Sequence, residues 1–69
     1  MSDKFLLKLA DILEVSEVQM ADEFRNFDSW DSLSALAIIA NVEKYFGINI
    51  TVSELVQLKT VGSLLERLQ

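Results

Sequence analysis

Sixty-nine residues without a single cysteine or histidine allow one domain, residues 1–69, and exclude disulfide staples and the usual zinc ligand sets. The net charge of −5 argues against nucleic acid, because phosphate contacts need clustered Lys and Arg. Hydrophobic residues make up 51% of the chain, yet no uncharged run approaches the ~18 residues of a membrane-spanning helix, so no membrane span is expected.

A chain this short retains only about 3–5 kcal/mol of net stability, and with no staples that stability must come from packed helices. The first helix is predicted from Asp3 to Glu14, with Ser2 as its N-cap. Phe5, Leu6, Leu9, Ile12 and Leu13 form its buried stripe, leaving Lys4, Lys8 and Asp11 in water. A long irregular connection follows, from Val15 to Trp30, in which Val15, Val18, Met20, Phe24 and Phe27 are the candidate anchors to the core. Connections longer than about 12–15 residues are uncommon in small domains unless they serve function.

The second helix is predicted from Ser32 to Phe46, with Gly47 as its left-handed cap. On a helical wheel Ala35, Leu36, Ile39, Val42 and Phe46 share one side, flanked by Leu33 and Ala40. Ser34, Ala37, Asn41, Lys44 and Tyr45 fall opposite, and Glu43 falls near the buried side. Ile48 and Ile50 alternate like a strand, but three residues make no sheet. Thr51-Val52-Ser53-Glu54 has the form of a capping box for a short third helix ending at Leu58. Thr60 caps a fourth, carrying Val61, Leu64, Leu65 and Leu68. The expected fold is all-α: a small four-helix bundle of three longer helices and a short third one.

Asp31-Ser32-Leu33, preceded by Trp30, opens the longest amphipathic stretch and places a hydroxyl on the first turn of a helix. From Met1 to Asp31 there are eight acidic and three basic residues, and from Ser32 onward three of each, so all the excess charge precedes that serine. The segment FDSWDSLSALAIIANVEKYF, Phe27 to Phe46, resembles the attachment region of acyl carrier proteins and peptidyl carrier domains. The resemblance extends from about Phe24 to the C-terminus. It implies a free-standing, monomeric, cytoplasmic carrier in which Ser32 bears 4′-phosphopantetheine, flanked by Asp31 and Leu33. Its partners would be a phosphopantetheinyl transferase, which loads the group from coenzyme A, and cargo-loading and cargo-processing enzymes such as acyl or aminoacyl ligases, synthases and transferases. Fatty-acid-like, polyketide and peptide biosynthesis all use this scaffold. The alternative, from a different class, is an unmodified helical module that binds another protein through its second helix.

With no His or Cys to serve as base or nucleophile, the chain is not expected to be an enzyme. Asp28 and Asp31 are expected to be solvated capping residues, with no metal site. Carriers of primary fatty-acid synthesis present acids along the second helix, where this chain has Ser34 and Ala37. Partner contact is therefore assigned to Trp30, Leu33, Ala37 and Ile38, with steering from Asp22, Glu23, Asp28 and Asp31. A small residue usually precedes the Asp of the motif, and Trp30 departs from that; it either resembles carriers found outside primary fatty-acid synthesis or is a plug that closes the loop over the bundle. Leu55 and Leu64 replace the small residues that keep an acyl channel open in fatty-acid carriers, so a closed core and a short or polar cargo are expected.

Overall fold

The computed structural model describes residues 2–69, with side chains from Asp3 onward. Helix α1 runs over Ser2–Ile12, α2 over Ser32–Phe46, α3 over Val52–Leu58 and α4 over Val61–Leu68. The chain is an all-α four-helix bundle with a short α3. Phe5, Leu9 and Leu13 from α1 and its end meet Ala35, Ile38 and Val42 from α2, Leu55 from α3 and Val61, Leu64 and Leu68 from α4 in one buried cluster. Phe24 and Ile50 join it from the connections. Each of the longer helices contributes residues three or four apart, the spacing of a single apolar stripe. Helix α2 spans about 21 Å in a molecule whose longest extent is 27 Å, so its two ends lie on opposite sides of the bundle.

Helix α1 stops two residues earlier than its pattern suggests. Glu14 takes the left-handed conformation, at φ 61°, and its N–H donates to the carbonyl of Asp11 while that of Val15 donates to Ala10. This pair of bonds is the Schellman arrangement, usually built on Gly. Glu14 carries a Cβ penalty there, and its negative charge faces the negative end of the helix dipole. Glu14→Gly should therefore stabilise the fold by about 1 kcal/mol, after allowing for the greater freedom of Gly in the unfolded chain. Urea denaturation checks this. An unchanged midpoint would mean that the turn is not strained. Ser2, the expected N-cap, is the first residue of α1, and its side chain lies outside those described.

The long connection is less irregular than expected, because Phe24–Asn26 form a 3-10 turn. Phe24 is buried, and Val18 and Phe27 are partly so, but Val15 and Met20 are exposed and anchor nothing by their side chains. The backbone does that work instead. The N–H of Val61 donates to the carbonyl of Asp22 at 3.0 Å and that of Gly62 to Met20 at 2.9 Å. Thr60 Oγ1 accepts from the N–H of Ser63 at 3.1 Å. Three of the four donors left open at the start of α4 are thus satisfied, two of them by the connection. In return, the N–H of Phe24 donates to the carbonyl of Lys59 at 2.9 Å.

Lys59, between α3 and α4, sits at φ 70°, ψ −48°, and the Thr60 N–H donates to the Leu58 carbonyl at 2.8 Å. This is a γ-turn of the rare, strained hand. Thr51 caps α3 as expected, its Oγ1 accepting from the N–H of Glu54. The reciprocal half of that box does not form, because the Glu54 carboxylate accepts from Arg67 Nε of α4.

The buried face of α2 is rotated from the expected one. Ser34, Ala35, Ile38 and Val42 are buried, while Ile39 and Phe46 are only partly covered. Leu36 is 55% exposed, and Glu43 lies in water. A hydrophobicity wheel turns Leu36 inward and Ser34 outward. It does not account for the hydroxyl of Ser34, which has both its hydrogen bonds met inside the structure and so loses little by burial.

Candidate functional site

The site is the start of α2. Ser29 Oγ donates to the carbonyl of Leu13 at 2.6 Å, tying the end of the long connection to an open acceptor at the end of α1. The N–H of Trp30 donates to the carbonyl of Phe27 at 3.0 Å, and the next residue is extended at φ −157°. That extended residue, Asp31, is the N-cap. Its Oδ1 accepts from the N–H of Ser34 at 2.8 Å. Ser34 Oγ accepts from the N–H of Asp31 at 2.9 Å and donates to its carbonyl at 3.0 Å. Cap and third helical residue thus close on each other as a capping box.

The box leaves Ser32 out. It occupies the first helical position and is exposed, and among the described residues its hydroxyl takes part in no hydrogen bond. The backbone N–H groups of Ser32 and Leu33 are two of the four that a helix start leaves open. They stand beside the hydroxyl at the positive end of the α2 dipole. A nucleophilic oxygen, free of structural duty, is therefore presented where an anionic product would be favoured.

The expected neighbours divide. Leu33 is 75% exposed, Asp28 is exposed and, against expectation, does not cap α2, since Asp31 alone fills that place, and Ala37 is partly buried. Ile38, assigned to partner contact, is fully buried in the core and cannot touch a partner. Leu36, one turn beyond Ser32 and assigned to the core, takes its place at the surface. Trp30 is half-buried and stacks on Phe24 with ring centroids 5.5 Å apart and planes at 25°. It packs against the core, and the part left uncovered remains free to meet a partner. Helix spacing gave no hint of the inward role of Ser34. The signal was present, as Asp and Ser three residues apart at a helix start.

No curated protein and no solved structure matches the chain. A family model does: the one described as the phosphopantetheine attachment site matches residues 3–68. A phosphodiester to that group needs one unengaged, accessible hydroxyl in surroundings that tolerate an anion, and the start of α2 supplies both. With nearly its whole length inside the match, the chain belongs to the phosphopantetheine attachment site family, whose members carry 4′-phosphopantetheine covalently.

Proposed function

We propose that residues 1–69 act as one cytoplasmic carrier domain and that Ser32 is its attachment residue. The observation that carries this reading is the division of labour at the helix start: Asp31 and Ser34 hold the cap, and Ser32 is left free and exposed. In loading, Ser32 Oγ forms a new bond to the pantetheine-side phosphorus of coenzyme A, and the pyrophosphate P–O bond to the adenosine side breaks. Its proton passes to a base of the transferase, and adenosine 3′,5′-bisphosphate departs. Once bound, the group supplies a terminal thiol that holds cargo as a thioester, and the chemistry on that cargo belongs to partner enzymes. Such a carrier serves fatty-acid-like, polyketide or peptide biosynthesis. The open N–H groups of Ser32 and Leu33 favour the phosphodiester. Asp31 opposes it by charge, so beyond capping α2 its role is recognition by the transferase.

Coexpression with a broad-specificity phosphopantetheinyl transferase, followed by intact mass measurement, tests the assignment. The wild type should gain one phosphopantetheine group. Ser32→Ala should keep the wild-type circular dichroism, because Ala is the best helix former, and gain nothing. Modification persisting in Ser32→Ala would place the group elsewhere. A wild type that stays unmodified would favour a helical interaction module instead.

Partners dock on the apolar patch beside the attachment point, Leu33, Leu36 and Ala37. Acidic residues add little on α2 itself, where only Glu43 remains. Association with a cognate enzyme should therefore depend only modestly on salt, and Ala37→Glu should weaken it, as surface plasmon resonance would show. A steep salt dependence that disappears in Glu43→Gln would contradict this picture.

A further inference from the structure

The segment that delivers Ser32 is thinly held. Its upstream part is fixed to the start of α4, and the bond nearest to Ser32 runs from the Phe24 N–H to the Lys59 carbonyl. Between that point and α2, Arg25, Asn26, Asp28 and Asp31 are exposed, and Phe27 and Trp30 are only partly covered. Few buried contacts are what let a segment open locally. The capping box does not anchor it, since Asp31 and Ser34 close on each other and tie α2 to itself. Among the described residues, one hydrogen bond joins residues 28–34 to another helix, from Ser29 Oγ to the carbonyl of Leu13. Its acceptor is open because α1 stops there. Glu14 turns left-handed, so the Leu13 carbonyl meets no helical N–H four residues on. Leu13 is only 1% exposed, and a buried carbonyl cut off from water needs such a partner.

We propose that Ser29 is a positioning residue for loading: through this bond it holds residues 30–33 in the pose in which a transferase finds the Ser32 hydroxyl. The proposal rests on Ser32 being the attachment residue. Ser29 takes no part in the chemistry. It lies three residues before Ser32, within about 11 Å by Cα, and its own hydroxyl is engaged with Leu13 at 2.6 Å. Its effect is on populations. A carrier whose delivering segment is set is competent at every encounter, and one whose segment wanders is competent for part of the time. Apparent affinity falls by that fraction, while the step after docking is unaltered. Serine suits the task, because a short side chain with a hydroxyl donor reaches a backbone acceptor that no N–H of the connection fills.

Steady-state loading from coenzyme A by a broad-specificity transferase tests this, with each product mass verified. Ser29→Ala should raise KM for the carrier about fivefold, a factor set by the modest net worth of one hydrogen bond, and leave kcat within about twofold. Thr51→Ala is the control. It removes the cap of α3, should lower the melting temperature by a similar amount, and should leave KM unchanged. In the free carrier, NMR relaxation dispersion should show microsecond-to-millisecond exchange at the amides of residues 30–33 in Ser29→Ala, and not in the wild type or Thr51→Ala. Ser29→Cys, whose thiol is a weak donor, takes the place of Ser29→Ala should that variant misfold. An unchanged or lowered KM overturns the proposal. So does an equal rise in Thr51→Ala, which would make Ser29 a contributor to stability alone. A raised KM with those amides undisturbed also overturns it, since the hydroxyl would then touch the transferase itself. Failure of the parent reading is distinct: the wild type gains no mass, and the positioning role falls with it.

Discussion

Ile38→Ala should leave most of the chain unfolded at room temperature. Truncating a fully buried Ile to Ala costs about 2–5 kcal/mol, and a bundle of this size holds only about 3–5 kcal/mol in reserve. Ile38 is at 0% exposure in the same cluster as Phe5, Leu55 and Leu64, and a close-packed core refills the lost volume only in part. Leu36→Ala is the control. It removes an exposed side chain from the same helix and should change stability by no more than about 0.5 kcal/mol, while weakening partner association. Circular dichroism and urea denaturation of the two variants give opposite answers according to which residue faces the core. A folded, stable Ile38→Ala with lost partner binding would restore Ile38 to the surface and refute the burial pattern of α2.

A second large effect is expected at Gly62. A Cβ built there would lie 3.0 Å from the carbonyl oxygen of Met20, the same oxygen that accepts from the Gly62 N–H. A side chain must push away the stretch of backbone that satisfies α4. Gly62→Val, branched at that point, should destabilise by about 2–3 kcal/mol through overpacking and loss of that hydrogen bond. Gly62→Ala should do less harm, because the gain in helix propensity, up to about 1 kcal/mol, offsets part of the clash. A shift in the urea midpoint of Gly62→Val decides the matter. An unaltered midpoint would mean that the connection is not held where it lies.

Much of this architecture is legible in the sequence because helix ends are written in side chains. Asp31, Thr51 and Thr60 are caps with oxygen acceptors, Gly47 adopts φ 69° where α2 ends, and the start of each of the last three helices follows. Where backbone geometry decides, the letters are silent. Nothing marks Glu14 as a left-handed residue, since Glu is a good helix former and its pattern continues. Nor does any side chain announce that Met20 and Asp22 serve α4 through their carbonyl groups. Gly62 is the one trace of that approach, and a lone Gly near a helix start does not say which backbone comes close to it. Trp30 illustrates a different gap. A large aromatic beside the motif suits either contact or closure, and only its stacking on Phe24 places it. The candidate attachment residue itself was legible through family resemblance, and the structure adds the physical reason that Ser32 can be spared.

The bonds between residues 20–24 and 59–62 also set an order of events. The chain is made from its N-terminus, so Lys59, Val61 and Gly62 are the last of these residues to emerge. Until they emerge, Met20, Asp22 and Phe24 lack the backbone partners that hold the connection, so the segment delivering Ser32 is not yet in place. Any enzyme that recognises the assembled connection together with the start of α2 has no substrate in the nascent chain. Its substrate forms only once α4 has docked on residues 20–24.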